Sequence, residues 1–195
     1  MGIVGGRRRT VGRMVMAACV GSLLLGAAGC TAPSPSEPAP TSNPPTVAPV
    51  FASDEEALAA ATEAYSNYLA TYDASWAHGP SPMDEYLALS IGEAHEDEVQ
   101  SLAGWEANGW YATGTTTFDS IRLQGVERRS GVVNISTYLC LDISKGDVVD
   151  ASGSSVVKPD QPTRLPLEVE FETTPPSPTD LKISRSEIWS GTDFC

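Results

Sequence analysis

Four cysteines, two histidines and one short acidic run are the residues of this sequence with the clearest chemical potential. Glu93, Glu96, Asp97 and Glu98 surround His95 and bring together the ingredients of a cation site. Only His95 offers a nitrogen ligand, and on a helix the carboxylates spread around the axis rather than converge. The run is therefore read as a solvated helix face, and no metal or cofactor is assigned. Cys19, Cys30, Cys140 and Cys195 lack the CxxC spacing that poises a redox pair or a zinc site. No Gly-rich phosphate loop and no Ser/His/Asp set is present, so no catalytic residue is assigned from a motif. Arg122, Arg128 and Arg129 form a local basic cluster. They either meet an anionic polymer or lipid headgroup, or offset neighbouring acids such as Asp119 and Glu127, the commoner fate of surface charge.

The charge balance narrows the partners. The chain has 195 residues, with 25 acidic and 12 basic side chains and a net charge of −13. Four of the basic residues (Arg7, Arg8, Arg9 and Arg13) precede residue 14, so the remainder carries eight against 25 acids, a balance of −17. Non-specific nucleic-acid affinity comes mainly from Lys and Arg neutralising phosphates, so a body this acidic excludes a nucleic-acid role.

Residues 1–29 read as an export signal. A positive segment ends at Arg13, and an uncharged run of 16 residues follows from Met14 to Gly29. A membrane span needs about 20 apolar residues, so the run is too short for a stable helix across a bilayer. Leu25-Gly26-Ala27-Ala28-Gly29-Cys30 resembles a bacterial lipobox, with Ala27 where Leu or Val is commoner. The resemblance implies diacylglyceryl transfer to the Cys30 thiol, cleavage after Gly29 and acylation of the new amino terminus. Two readings stay open beside it: ordinary secretion with cleavage near Ala28, and a twin-arginine signal from Arg7-Arg8-Arg9. Durable anchoring requires more than one acyl chain, which a lipoprotein cysteine carries. Cys19 leaves with the signal and Cys30 carries the lipid, so Cys140 and Cys195 remain as an expected disulfide. It closes a loop of about 55 residues, a constraint that the chain-entropy treatment credits with roughly 4 kcal/mol.

Residues 30–50 hold seven prolines and no aromatic side chain, the composition of a tether that buries nothing. Residues 51–195 form the expected domain. Ser53-Asp54-Glu55-Glu56 fits a capping box, and Leu58, Ala61, Tyr65, Tyr68, Leu69 and Tyr72 recur at helical steps over about five turns. Ser81 and Pro82 suit the cap and first position of a short second helix through Tyr86 and Leu89. A third helix runs from about Gly92 to Ala107 and stops at Asn108-Gly109. The period then changes to two. Trp110–Val126 gives one or two strands, Arg129-Ser130-Gly131 a turn, and Val133 to Leu141 a strand. Ser144–Asp147 reads as a second turn and Val148–Lys158 as a weak strand. Thr163–Phe171 and Leu181–Trp189 are further strands, separated by a Pro175–Pro178 turn. Helices followed by a strand meander predict an α+β fold with three helices covering the concave face of a curved antiparallel sheet.

This order over about 145 residues is similar to the NTF2-like, or cystatin-like cone, superfamily. The helix bearing Tyr65 and Tyr68, the Leu139-Cys140-Leu141-Asp142 strand and the ending Ile188-Trp189-Ser190-Gly191-Thr192-Asp193-Phe194-Cys195 also resemble a group of actinobacterial lipoproteins. The superfamily includes isomerases, cyclases, dehydratases, transport adaptors and accessory domains, so fold does not fix function. The absence of site motifs, together with the export signal and tether, points to a binding or accessory module held at the extracytoplasmic face of the cell membrane, taking a small apolar ligand or an envelope protein; the resemblance adds a face-to-face homodimer as a further option. The alternative is an isomerase- or cyclase-like enzyme using the cone as a pocket. That chemistry needs a base and an oxyanion donor in an apolar cavity, with Asp119 as candidate base and Tyr65, Tyr68 or Tyr138 as candidate donors.

Overall fold

The computed structural model describes residues 50–77, 82–177, 179–192 and 194–195. The export signal, Cys30 and nearly all of the tether lie outside these residues, as does the Ser81 cap. No described helix is long and apolar enough to cross a membrane.

Helix α1 spans Asp54–Trp76, longer than the five turns expected. Ser53 caps it by accepting from the Glu56 amide, while the Glu56 carboxylate accepts from the amide of Ala52, closing a reciprocal box one residue earlier than the usual pairing. The short α2 spans Asp84–Leu87 and starts after Met83, so Pro82 does not sit in its first turn. Helix α3 spans Gly92–Asn108 and ends as expected, because Gly109 adopts φ 67° and turns its amide back to the Glu106 carbonyl.

The strands are β1 (Tyr111–Arg129), β2 (Val132–Val149), β3 (Arg164–Thr173) and β4 (Leu181–Ile188), an antiparallel meander in the order β1-β2-β3-β4. Ser130 and Gly131 both have positive φ, which fits the right-handed twist of the long β1–β2 hairpin. Two strand expectations are corrected. Ser144–Asp147 is not a turn: Lys145 and Gly146 pair with Thr115 and Gly114, so β2 continues to Val149. Val148–Lys158 is not a strand either. Asp150 accepts from the amides of Ser152 and Ser154, and the chain turns back through a single bridge between Val149 and Ser155. Three register shifts along β1 bend it, which gives the sheet its curvature.

The core lies between α1 and the inner face of the sheet. Ala57, Ala61, Tyr65 and Leu69 meet Ile135, Leu139, Val169, Phe171 and Ile183, with Phe51 closing the end where the chain enters. The α2–α3 linker lies along β4: the Ile91 amide donates to the Ile183 carbonyl, and the Ile183 amide to that of Leu89. Three helices and a curved four-stranded antiparallel sheet make the α+β layout that the element order predicts.

On the opposite face, Cys140 forms a disulfide with Cys195, with Cα atoms 5.6 Å apart. The C-terminal segment crosses that face. Trp189 donates its amide to the Pro166 carbonyl, and Trp189 and Phe194 pack on Tyr138 with ring centroids 4.6 and 5.9 Å away.

Candidate functional site

Tyr65, Tyr68 and Tyr72 follow one stripe of α1 because residues three and four apart share a helix face. The same rule places Ala94, Glu98, Leu102 and Trp105 on one side of α3. The two stripes face each other at the open end of the cone, with Tyr86 of α2 between them. They enclose a cavity of about 350 Å³ whose floor is Thr116, Leu141, Ile143, Leu167 and Ser186 of the sheet. A second depression of about 270 Å³ adjoins it, sharing Tyr72, Trp105, Thr116 and Ile143 and reaching Trp76. The walls are a continuous aromatic series. Tyr65 stacks on Tyr68 at 5.7 Å, Tyr68 meets Tyr86 at 4.9 Å, Tyr86 meets Tyr72 at 5.2 Å, and Trp76 meets Trp105 at 5.8 Å.

Glu98 gives the cavity its polar centre. Its Oε1 accepts from the Tyr68 hydroxyl at 2.5 Å and its Oε2 from the Ser90 hydroxyl at 2.5 Å. The Tyr68 oxygen lies 2.5 Å from the Tyr86 hydroxyl; since the Tyr68 proton is directed to Glu98, Tyr86 is the donor in that pair. His95 Nδ1 lies 3.0 Å from the Leu87 carbonyl and must carry a proton to donate there. Tyr65 beside this group is only 2% exposed. The Trp76 Nε1–H is buried without an acceptor among the described residues.

This environment opposes phenolate formation. Burial pushes the Tyr65 phenol well above its ordinary range, and the Glu98 charge adds to the shift. Burial also raises Tyr68, with the Tyr86 phenol and Glu98 adding to it, and raises Tyr86, with Glu98 the next contributor. Tyr72 is pushed up to about 12 by burial, then by the charge of Asp73. All four remain neutral hydrogen-bonding groups at physiological pH.

The structure brings together some of the sequence-derived candidates and separates the others. Tyr65 and Tyr68 line the cavity. Asp119 does not: it is exposed on β1, where Arg164 grips both of its oxygens at 2.9 and 3.0 Å, and those hydrogen bonds hold its carboxyl below the usual range. It is not placed to act as a base in the cone. Tyr138 lies on the outer face under Trp189 and Phe194, so it is not a cavity donor. Glu98 is the carboxylate that sequence reading misses. Composition assigns it to a solvated face, whereas its four-residue spacing from Ala94 and Leu102 puts it on the buried side. The remaining acids of that run do stay exposed, and among the described residues no three His, Cys, Asp or Glu side chains converge as metal ligands. In the basic cluster, Arg129 pairs with Glu127 at 2.8 Å and Arg128 donates to the Phe51 carbonyl at 3.2 Å.

No family model matches the chain, and no curated protein matches it. Among solved structures it is similar to the intermembrane space region of the chloroplast protein ARC6, with a TM-score of 0.47 and 11% identity over 69% of this chain and 97% of that one. It is also similar to Aln2 from a Streptomyces species, with a TM-score of 0.39 and 17% identity over 71% and 92% of the two chains. Neither likeness transfers a residue role.

Proposed function

We propose that this chain is a lipid-anchored module at the extracytoplasmic face of a bacterial cell membrane, of the kind found among actinobacterial lipoproteins, and that its cone binds a small, largely apolar ligand. The observation that carries the binding role is the aromatic cavity at the open end of the cone, about 350 Å³ in volume with Glu98 as an oriented polar group. Apolar concavities of this size with a few fixed polar groups are the usual form of small-molecule sites. Anchoring rests on the lipobox-like Leu25–Cys30 segment and the Pro-rich residues after it.

The alternative is an isomerase- or cyclase-like enzyme, and one observation favours it: a carboxylate beside phenols on an apolar wall is the pairing that proton abstraction and oxyanion stabilisation require. Binding is the better reading, because both Glu98 oxygens already accept hydrogen bonds and the Tyr68 proton is directed to Glu98.

The test is native mass spectrometry of the full-length protein extracted from bacterial membranes. A co-purifying small molecule, displaced by Leu102→Trp, supports the binding role. Conversion of that molecule to a product by the wild type transfers the reading to the enzyme. Anchoring predicts that Cys30→Ser accumulates as unprocessed precursor, and normal release of a mature soluble form from that variant overturns it.

A further inference from the structure

The hydrogen-bond directions around the cavity carry the ligand's chemistry further. Tyr86 donates to Tyr68, Tyr68 to Glu98 Oε1, and Ser90 to Glu98 Oε2, so the polar protons of this group point at one another. What remains toward the interior is lone pairs, since each oxygen of an ionised carboxylate can accept twice. Asp97 stands beside Glu98 on the cavity rim, and no Lys, Arg or His is among the lining residues. The walls are ring faces, which carry negative quadrupole density and attract a desolvated cation. Tyr65 adds a nearly fully buried ring to that wall. A molecule whose charge balance is −17 outside residues 1–29 also enriches cations near its surface.

We infer that the cavity selects an organic cation: an amine or quaternary ammonium group held against Glu98 and the tyrosine rings, with an apolar body lying toward Leu102 and Trp105. The inference rests on the cavity being a ligand site, and it adds the charge of the ligand. A neutral apolar molecule gains the burial but not the attraction to carboxylates and ring faces. An anion meets Asp97 and Glu98 with no compensating base.

The test uses the full-length protein in detergent and three probes of matched size followed by calorimetry: benzyltrimethylammonium, its uncharged carbon isostere neopentylbenzene, and phenylacetate. The expected result is that the cation binds at least about tenfold more tightly than the neutral isostere, a difference that charge and ring contacts commonly supply. Phenylacetate is expected not to bind. Glu98→Gln, which keeps an acceptor for Tyr68, and Asp97→Asn, a change at an exposed position, should each weaken the cation several-fold and leave the isostere unchanged. Equal binding of cation and isostere overturns the charge inference while the ligand site stands. Cation binding insensitive to both variants places the probe elsewhere on the acidic surface and also overturns it. Failure of all three probes to bind removes the cavity as a ligand site, and this inference falls with it.

Discussion

The Tyr68 hydroxyl of α1 and the Glu98 carboxylate of α3 are joined by a 2.5 Å hydrogen bond, which fastens the two helices across the open end of the cone. Hydrogen bonds to charged groups contribute about 1.5–3 kcal/mol, more than neutral pairs, and removing one partner strands the other. Tyr68→Phe is expected to lower stability by about 1–2 kcal/mol, and Glu98→Ala by more, because Tyr68 and Ser90 then both lose their acceptor. A double-mutant cycle with Tyr68→Phe and Glu98→Ala, read by urea unfolding, should give a coupling of at least ~0.5 kcal/mol. Strict additivity would show that the pair does not join the helices.

Four of the six tyrosines lie in this region, and all four have raised pKa values. A folded-state pKa above the unfolded one gives stability that is complete below the unfolded value and is lost as pH rises through the folded value. The protein is therefore expected to weaken from about pH 10 upward. In an alkaline titration followed by phenolate absorbance, Tyr65, Tyr68, Tyr72 and Tyr86 should ionise together with unfolding. A smooth titration of all six before any loss of helical signal would contradict this.

At the acid end the sign reverses. Asp119 is lowered chiefly by hydrogen bonds from Arg164, while Asp142 is lowered first by Ser144 and then by Arg164. Depressed carboxyl values give stability that is present above the unfolded value and is lost as pH falls through the folded one. Arg164→Gln should flatten the stability profile below about pH 4 and change little near neutrality, as measured by thermal unfolding across pH. An unchanged acid limb in the variant would remove this pair from the account.

The Cys140–Cys195 disulfide closes a 55-residue separation, which the chain-entropy treatment values at roughly 4 kcal/mol. Cys195→Ala is expected to lose a large part of that stability and to release the segment bearing Trp189 from Tyr138. A red shift and greater quenching of tryptophan emission would report the release. Because the cavity lies on the other face of the sheet, probe binding to the folded variant should persist.

Gly114 has φ 83°, and a Cβ there would collide with the Lys145 carbonyl. Gly114→Ala should therefore cost on the order of 3 kcal/mol, from strain and displaced pairing together. Gly125→Ala, whose added Cβ meets nothing nearby, serves as the control.

These particulars explain what could be read in advance. Helical spacing in α1, the glycine stop of α3 and the meander were legible because each is written in local periodicity. The disulfide was legible because two cysteines remained once Cys19 and Cys30 were assigned to export and lipidation. Ser144-Lys145-Gly146-Asp147 misled because Gly usually marks a turn, whereas here Gly146 pairs opposite the left-handed Gly114 within a continuous ladder. The face of Asp119 could not be read from alternation. Register shifts between Thr115 and Thr117 and between Asp119 and Arg122 each upset the parity of inward and outward positions. Tyr138 was readable only by taking Thr137 and Leu139 as the inward set, which makes their neighbour outward. Glu98 was hidden by composition, since an acidic run looks solvated even where its helical position is not.

The chain enters the fold at Phe51, where the β1–β2 hairpin holds it through Arg128, whereas the cavity opens beside Tyr68 and Tyr72 on the same helix. At 1.5 Å of rise per residue, these points lie about 25 Å apart along the helix axis. The domain thus has a direction: a support grafted just ahead of Phe51 would sit toward the opposite end of α1 from the aromatic cavity. A sensor surface built that way would present the cavity to solution without a spacer on the opposite side.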